Sequence, residues 1–135
     1  MNRARPLGLL ILCAVALTLV APGCRRTRDE VHVVDSSTTQ WTWAADLTDV
    51  DDDDTYLWTS TLANVVRAEI KADNFSGLVH LRIYDGAGVE ILDEEVVGVE
   101  SHFRDNYFSS PGVAGDWTIR IQLENVTGKL RVIID

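Results

Sequence analysis

The sequence predicts an all-β protein: an antiparallel, jelly-roll-like β-sandwich of about seven to nine short strands. Apolar and polar residues alternate near the C-terminus, where Trp117, Ile119 and Ile121 share one phase, and this pattern is typical of a half-buried strand. Similar alternation recurs from residue 40 onward between short turn-forming stretches. No apolar stripe with the helical period of about 3.6 residues follows the first 23 residues. Alternation without helical periodicity therefore favours an all-β fold.

One pattern occurs twice in the chain. Residues 70–83 align without gaps on residues 121–134, and both copies have Asn-x-Ser/Thr-Gly at their centre. Because such tetrapeptides favour turns, each copy is predicted to be a hairpin, and the two hairpins to be equivalent parts of the sandwich. Gly77 and Gly128 are expected to share a positive φ. The apolar phases after them, and Trp117, are expected to face the core.

The predicted strands follow the alternation and the β-branched and aromatic stretches. Residues 46–54 interrupt them as an acidic loop, and Asp85-Gly-Ala-Gly is a strong turn signal. In chain order the predicted strands are residues 41–45, 55–62, 66–72, 79–83, 89–91, 96–99, 102–108, 117–124 and 130–134.

The start of the chain has the organisation of an export signal. Arg3 and Arg5 precede an apolar run over residues 7–20, which is shorter than the roughly 20 residues that a membrane-spanning helix needs. The Ala-Pro-Gly-Cys that follows resembles the signal of a bacterial lipoprotein, with Gly23 before the cysteine and Cys24 as the acylated residue. The resemblance implies a signal peptide over residues 1–23 and attachment of the mature chain to a membrane by lipid on Cys24.

That resemblance also implies a location in the bacterial cell envelope. Arg25 stands where a signal for inner-membrane retention would place Asp, so the outer membrane is the expected destination. The alternative is ordinary secretory cleavage after Gly23, which would give a soluble secreted or periplasmic protein. Both alternatives start the mature chain at Cys24, as a lipidated N-terminus and tether over residues 24–39 followed by a domain over residues 40–135.

Cysteine usage and charge limit the possible functions. Cys13 lies in the signal, so Cys24 is the one cysteine of the mature chain and no intramolecular disulfide can form. The mature chain retains all 21 acidic residues but, without Arg3 and Arg5, only 10 of the 12 basic ones, which gives a net charge of −11. This balance argues against nucleic acid as a partner and against electrostatic docking on anionic lipid.

A second resemblance covers roughly residues 60–135. It is based on residues 79–88, on Tyr107-Phe-Ser-Ser, on Ala114-Gly-Asp-Trp-Thr-Ile-Arg-Ile and on residues 125–128. These stretches are similar to bacterial pre-peptidase C-terminal domains and to the P domain of subtilisin-type convertases. The resemblance implies a non-catalytic β-sandwich that accompanies a secreted enzyme.

The densest group of charges is the acidic stretch around Asp49, Asp51 and Asp53. Hard carboxylate oxygens suit Ca²⁺, and this spacing matches the opening of an EF-hand loop. The match ends at Asp54, where the EF-hand requires Gly, and at Ser60, where it requires a bidentate Glu. A calcium site and a solvated, solubilising loop are therefore both open interpretations.

Two aromatic residues precede that stretch and two follow it. Trp41, Trp43 and Trp58, together with Tyr56, could form a platform for sugar rings, or they could pack in the core. The chain has no Gly-x-Ser-x-Gly motif, and its three histidines lack the short spacing of a zinc site.

These observations predict a protein that is not an enzyme. The leading hypothesis is a lipid-anchored β-sandwich that serves as a binding or accessory module in the cell envelope. Its partner would be an envelope protein or a glycan. The alternative is a Ca²⁺-dependent or carbohydrate-binding module that uses the acidic stretch and the nearby tryptophans.

Overall fold

The computed structural model describes residues 33–98 and 101–135. The predicted signal peptide, Cys24 and residues 24–32 of the predicted tether lie outside these ranges. All strand pairs are antiparallel, in the order β1-β2-β6-β3-β4 with β5 also paired to β3. The strands are β1 (Val33–Ser36), β2 (Trp41–Ser60), β3 (Arg67–Tyr84), β4 (Glu90–Val97), β5 (Phe103–Phe108) and β6 (Gly115–Ile134). The predicted all-β, antiparallel fold is confirmed.

Three of these strands are long and bent. β2 and β6 each have 20 residues and β3 has 18, so a straight strand of this kind would be about 60 Å long. Within β2, however, the rings of Trp41 and Tyr56 are 5.5 Å apart, and Nε1 of Trp43 donates a hydrogen bond of 2.9 Å to the hydroxyl of Tyr56. β2 therefore folds back over itself, and β3 and β6 follow because they pair along its length.

The bends divide one sheet into two facing layers. Layer A consists of β1, β5 and residues 41–47, 67–73 and 129–134 of the long strands, and layer B consists of β4 and residues 50–60, 76–84 and 115–126. Each long strand thus contributes one segment to each layer. Most of the predicted seven to nine short strands correspond to these segments, because local alternation does not distinguish a bend from a strand end. β4 takes the place of the two strands predicted at residues 89–91 and 96–99.

The bends occur where the chain takes left-handed backbone conformations. Asp49, Asn74 and Asn125 have φ values of 53°, 50° and 49°, and Gly77 and Gly128 have 93° and 121°. A Cβ on Gly77 would lie 2.4 Å from the carbonyl oxygen of Asn125, and one on Gly128 would lie 2.5 Å from that of Asn74. The two copies of the repeat are therefore equivalent, and the expected positive φ of both glycines is confirmed.

The predicted hairpins at residues 74–77 and 125–128 are wrong. The two halves of β3 do not pair with each other, because both pair with β6: Ile70 faces Val132, and Leu81 faces Ile121. The tetrapeptide changes the direction of the strand without ending it: the register shifts on either side of Ser76, but the pairing of β3 with β6 resumes at Leu78.

The inner faces of both layers form one hydrophobic core. Trp117 is fully buried, as expected, and the apolar phases of both repeat copies face the core. Trp117 also packs edge-on against Trp58, with ring centroids 5.5 Å apart and an interplanar angle of 73°. The buried residues of the two repeat copies include Ile70, Ala72, Phe75, Val79, Leu81, Ile83, Ile121, Leu123, Val126, Leu130, Val132 and Ile134.

Two predicted boundaries need correction. Val33–Ser36, assigned to the tether, forms β1 and pairs with residues 41–44. The predicted acidic loop at residues 46–54 belongs to β2. Among the described strands, the layer B half of β2 pairs on one side only, with β6, so this edge segment can expose acidic side chains. Within the described ranges, no helix has the length and apolar character needed to cross a bilayer.

The predicted turn at residues 85–88 is confirmed and is organised by a buried carboxylate. Oδ1 of Asp85 accepts hydrogen bonds from the backbone N–H groups of Ala87 and Val89, at 3.0 and 2.9 Å. Oδ2 accepts one from the N–H of Val113, at 2.9 Å. The hydrogen bond from Val89, together with those from Ala87 and Val113, holds the pKa of Asp85 below its usual value. Asp85 therefore ties the β3–β4 turn to the loop before β6.

Candidate functional site

The structure places the predicted aromatic platform inside the core. Trp41 and Trp43 are each 1% exposed and Trp58 is 3% exposed, so these side chains cannot present a face to a sugar. The indole N–H of Trp58 donates to the carbonyl oxygen of Ser37 at 2.6 Å, and that of Trp43 is bound by Tyr56. The prediction of ligand binding by these three tryptophans is therefore wrong. All three side chains point from β2 into the core between the two layers.

The acidic residues of the predicted calcium site have separate structural roles. Asp49 lies in the bend of β2, where its N–H donates to Oγ1 of Thr127 at 2.9 Å. Asp51 accepts from the N–H of Asn125 at 2.7 Å, and Asp53 forms an ion pair with Arg120. Within residues 33–98 and 101–135 no three acidic, His or Cys side chains are grouped to hold a metal ion. The structure thus does not form the predicted calcium site.

A groove of about 540 Å³ crosses the outer face of layer A. Val33 and Ala44 lie at one end. Ala45, Ala72 and Leu130 also line it, and because their side chains are buried, their main chain forms the floor. The charged side chains of the groove are Asp46, Lys71, Asp73, Lys129 and Arg131. The floor is stiff because it consists of paired strands.

Three cationic side chains form a row across this face. Arg131 on β6 pairs directly with Lys71 on β3, and Lys71 pairs directly with Arg104 on β5. Glu69 accepts from both Lys71, at 2.8 Å, and Arg104. The hydrogen bonds from Lys71 and then Arg104 hold the pKa of Glu69 below its usual value. We call Arg131, Lys71 and Arg104 the cationic row.

The neighbouring row has alternating charges. Asp46 on β2 pairs with Lys129 on β6, which pairs with Asp73 on β3. Nζ of Lys129 lies 3.9 Å from Oδ2 of Asp46, and Asp73 also contacts the ring of His102. All three side chains of this row are exposed. The groove therefore offers hydrogen-bond acceptors beside its cations.

The outer face of layer B has a balanced set of charges. Arg82 and Arg120 lie directly opposite each other on β3 and β6. Arg120 Nε donates to Asp53 at 2.7 Å, while Asp93 accepts from both His80 and Arg82. The hydrogen bond from Arg120 lowers the pKa of Asp53, and that from His80 lowers the pKa of Asp93. Each arginine on this face therefore has a carboxylate beside it.

The sequence contained part of the signal for the groove. Lys129 and Arg131 lie on the polar phase of the second repeat copy, and Lys71 lies on the polar phase of the first. The predicted hairpins would have paired each copy internally, which keeps these side chains apart. The bend brings them together because both copies lie side by side along their full length.

Comparison with known proteins gives a fold likeness only. No family model matches the chain, and no curated protein matches it. A solved structure titled "CBM4 structure and function" is 9% identical, covers 76% of this chain and 73% of its own, and has a TM-score of 0.43. The TmCBM61 structure in complex with β-1,4-galactotriose is 15% identical, with coverages of 77% and 63% and a TM-score of 0.39. CBM28, titled a non-crystalline cellulose specific carbohydrate-binding module, is 9% identical, with coverages of 78% and 70% and a TM-score of 0.40.

Proposed function

We propose that this chain is a non-catalytic binding module of the bacterial cell envelope and that it binds a glycan in the groove of layer A. The observation that supports this most directly is the groove itself. Its volume of about 540 Å³ lies within the range of about 300–1,000 Å³ that is usual for ligand sites. It is open on one side, so an extended chain could lie along it.

The chemistry of the groove suits a ligand with many hydroxyl groups. A hydroxyl both donates and accepts hydrogen bonds. Lys71, Lys129 and Arg131 can donate to such a ligand, whereas Asp46 and Asp73 can accept from it. Because these side chains project from paired strands, binding would have to order the side chains but not the main chain, which lowers the cost of binding.

None of the shifted carboxyl pKa values among the described residues has the direction that a general acid requires. A general acid at neutral pH needs a carboxyl group whose pKa is raised. The carboxyl groups with shifted pKa among the described residues are instead stabilised in their ionised forms by ion pairs or backbone N–H groups. These are Asp53, Glu69, Asp85 and Asp93.

A bulky substitution in the groove tests whether the glycan binds there. Ala44→Tyr places a ring at the end of the groove, on a strand position that accepts aromatic residues. We expect it to weaken retention by immobilised polysaccharides at least about tenfold, as measured for the full chain on a panel of neutral and acidic polysaccharides. Thr55→Tyr is the matched control, because Thr55 is exposed on the layer B half of the same strand. Binding that survives Ala44→Tyr but not Thr55→Tyr would place the ligand on layer B.

The anchoring part of the proposal depends on Cys24. Several acyl chains on this residue would hold the module at the outer membrane, because each buried methylene contributes about 0.8 kcal/mol. Cys24→Ser should move the protein from the membrane fraction to the soluble fraction and abolish labelling by radioactive palmitate. A mature wild-type N-terminus with a free thiol would instead support a secreted or periplasmic protein.

A further inference from the structure

Positive charge is concentrated on one face of an acidic protein. The whole chain has a net charge of −9. Even so, five of the seven Lys and Arg residues within the described ranges lie on the outer face of layer A. These five residues are Arg67, Lys71, Arg104, Lys129 and Arg131. Arg67 is paired with Asp135 and Lys129 lies beside Asp46, so the excess of positive charge on this face is confined to the other three cations.

The cationic row is the least balanced part of this face. Neighbouring strands are about 4.8 Å apart, so its three side chains extend over about 10 Å. Like charges directly opposite each other destabilise a sheet. Glu69 compensates Lys71 and Arg104, but Arg131 forms no ion pair with any residue that the structure describes. Three cations therefore share one carboxylate, and an anion from outside would relieve their repulsion.

We infer that the groove selects acidic glycans, whose carboxylate or sulfate groups bind along the cationic row. This inference depends on the glycan-binding function proposed above and specifies its ligand. The guanidinium of Arg131 binds such a group through two parallel hydrogen bonds, and Lys71 adds a point charge one strand away. Asp46 and Asp73 accept hydrogen bonds from the hydroxyls of the same sugar chain.

The neighbouring row favours a glycan over other polyanions. Asp46 and Asp73 are exposed beside the cations, so a flat layer of lipid phosphates would meet two carboxylates and be repelled. A nucleic acid would present a similarly dense array of phosphates. An acidic polysaccharide supplies both anionic groups and hydroxyl donors, and its charges are spaced along a flexible chain. It therefore matches both rows.

The test compares ligands that differ in charge alone. Full-length protein is titrated with polygalacturonate, alginate and hyaluronan, and with the methyl ester of each. At least one acidic form should bind about tenfold more tightly than its ester, and added salt should reduce this preference. Arg131→Gln and Lys71→Gln should each weaken binding of the acidic form much more than binding of the ester, and so remove most of the preference. Arg82→Gln, on layer B, is the control and should change neither the preference for the acidic form nor the binding of the ester.

One variant should act in the opposite direction. Glu69→Gln removes the internal carboxylate that competes for Lys71 and Arg104, so it should tighten binding of the acidic form. Loss of folding cannot produce such a gain. Equal binding of acids and esters would overturn the inference and leave the glycan-binding function intact. Failure to bind any polysaccharide would overturn that function, and stronger binding to vesicles of phosphatidylglycerol or to oligonucleotides would overturn the glycan assignment.

Discussion

The outer faces of layers A and B contain the same kinds of charged side chains but arrange them differently. On layer B, Arg82 and Arg120 face each other, and each has an acidic partner on its far side. On layer A, three cations stand in a row, and among the described residues Glu69 pairs with two of them, Lys71 and Arg104. On layer B each arginine is therefore neutralised within the face, whereas on layer A Arg131 has no carboxylate partner among the described residues, which is the basis of the proposed anion binding. The two faces therefore differ in how their charges are placed across the strands as well as in the number of cations.

The inner faces do not differ in this way, because both layers contribute to one core. Trp117 of layer B is fully buried, and Tyr56 of layer B contacts Trp41 and Trp43 of layer A. The two outer faces therefore belong to one cooperative unit. A change that breaks the core should affect both of them together.

The largest expected effect follows from removing the central ring of layer B. Trp117→Ala should cost about 3–5 kcal/mol of unfolding free energy, because it leaves a large cavity in the shared core. That is a large share of the roughly 5–15 kcal/mol total for a domain. Urea unfolding, followed through tryptophan fluorescence and through ligand binding at layer A, should show both signals lost together at lower urea. Leu57→Ala is the control, since Leu57 is 79% exposed and its loss should cost no more than about 0.5 kcal/mol. Separate transitions for the two layers would contradict a shared core.

This core was largely predictable from the sequence, whereas its topology was not. Alternation is a local property, so the buried phase of Trp117 and Ile119 could be read directly. The same logic could not say which phase of residues 41–45 faces inward, and the tryptophans there were open to two interpretations. The partner of each strand is set by contacts between distant residues. For that reason the turn-forming residues 74–77 predict a hairpin where the structure has a bend.

The candidate site was less predictable for the same physical reason. Lys71, Arg104 and Arg131 are far apart in the sequence, and only the pairing of β3 with both β5 and β6 puts them in one row. The predicted sites came instead from clusters in the sequence. Asp49, Asp51 and Asp53 are close in the chain, but they have separate structural roles. Asp49 lies in the bend of β2, Asp51 accepts a hydrogen bond from the bend of β6, and Asp53 pairs with Arg120.

A smaller effect is expected at the bend that joins the two layers. Gly128→Ala puts a Cβ within 2.5 Å of the Asn74 carbonyl oxygen, at a φ of 121°. Left-handed strain of about 1–2 kcal/mol and overpacking of about 1–3 kcal/mol together predict a cost of about 2–5 kcal/mol. Gly88→Ala is the matched control, because its φ is also positive, at 76°, but nothing lies within 4 Å of its Cβ. Equal losses in urea unfolding would mean that backbone strain alone, and not the contact between the two bends, limits the position.

The smallest expected effect is a difference in how substitutions on the two outer faces change the melting temperature with pH. Asp53 and Asp93 on layer B have folded-state pKa values below their usual ones, first because of hydrogen bonds from Arg120 and His80. A lowered folded pKa adds stability above the unfolded pKa of about 4, and this stability is lost as pH falls through the folded value. Arg120→Gln should therefore lower the melting temperature slightly at pH 6 and approach wild type as the pH falls through the folded pKa of Asp53. Arg131→Gln removes a cation that no described carboxylate pairs with, so its melting temperature should stay parallel to that of wild type across the same range. If Arg131→Gln also lost stability only above pH 4, a carboxylate would pair with Arg131 in solution, and layer A would be as self-neutralised as layer B.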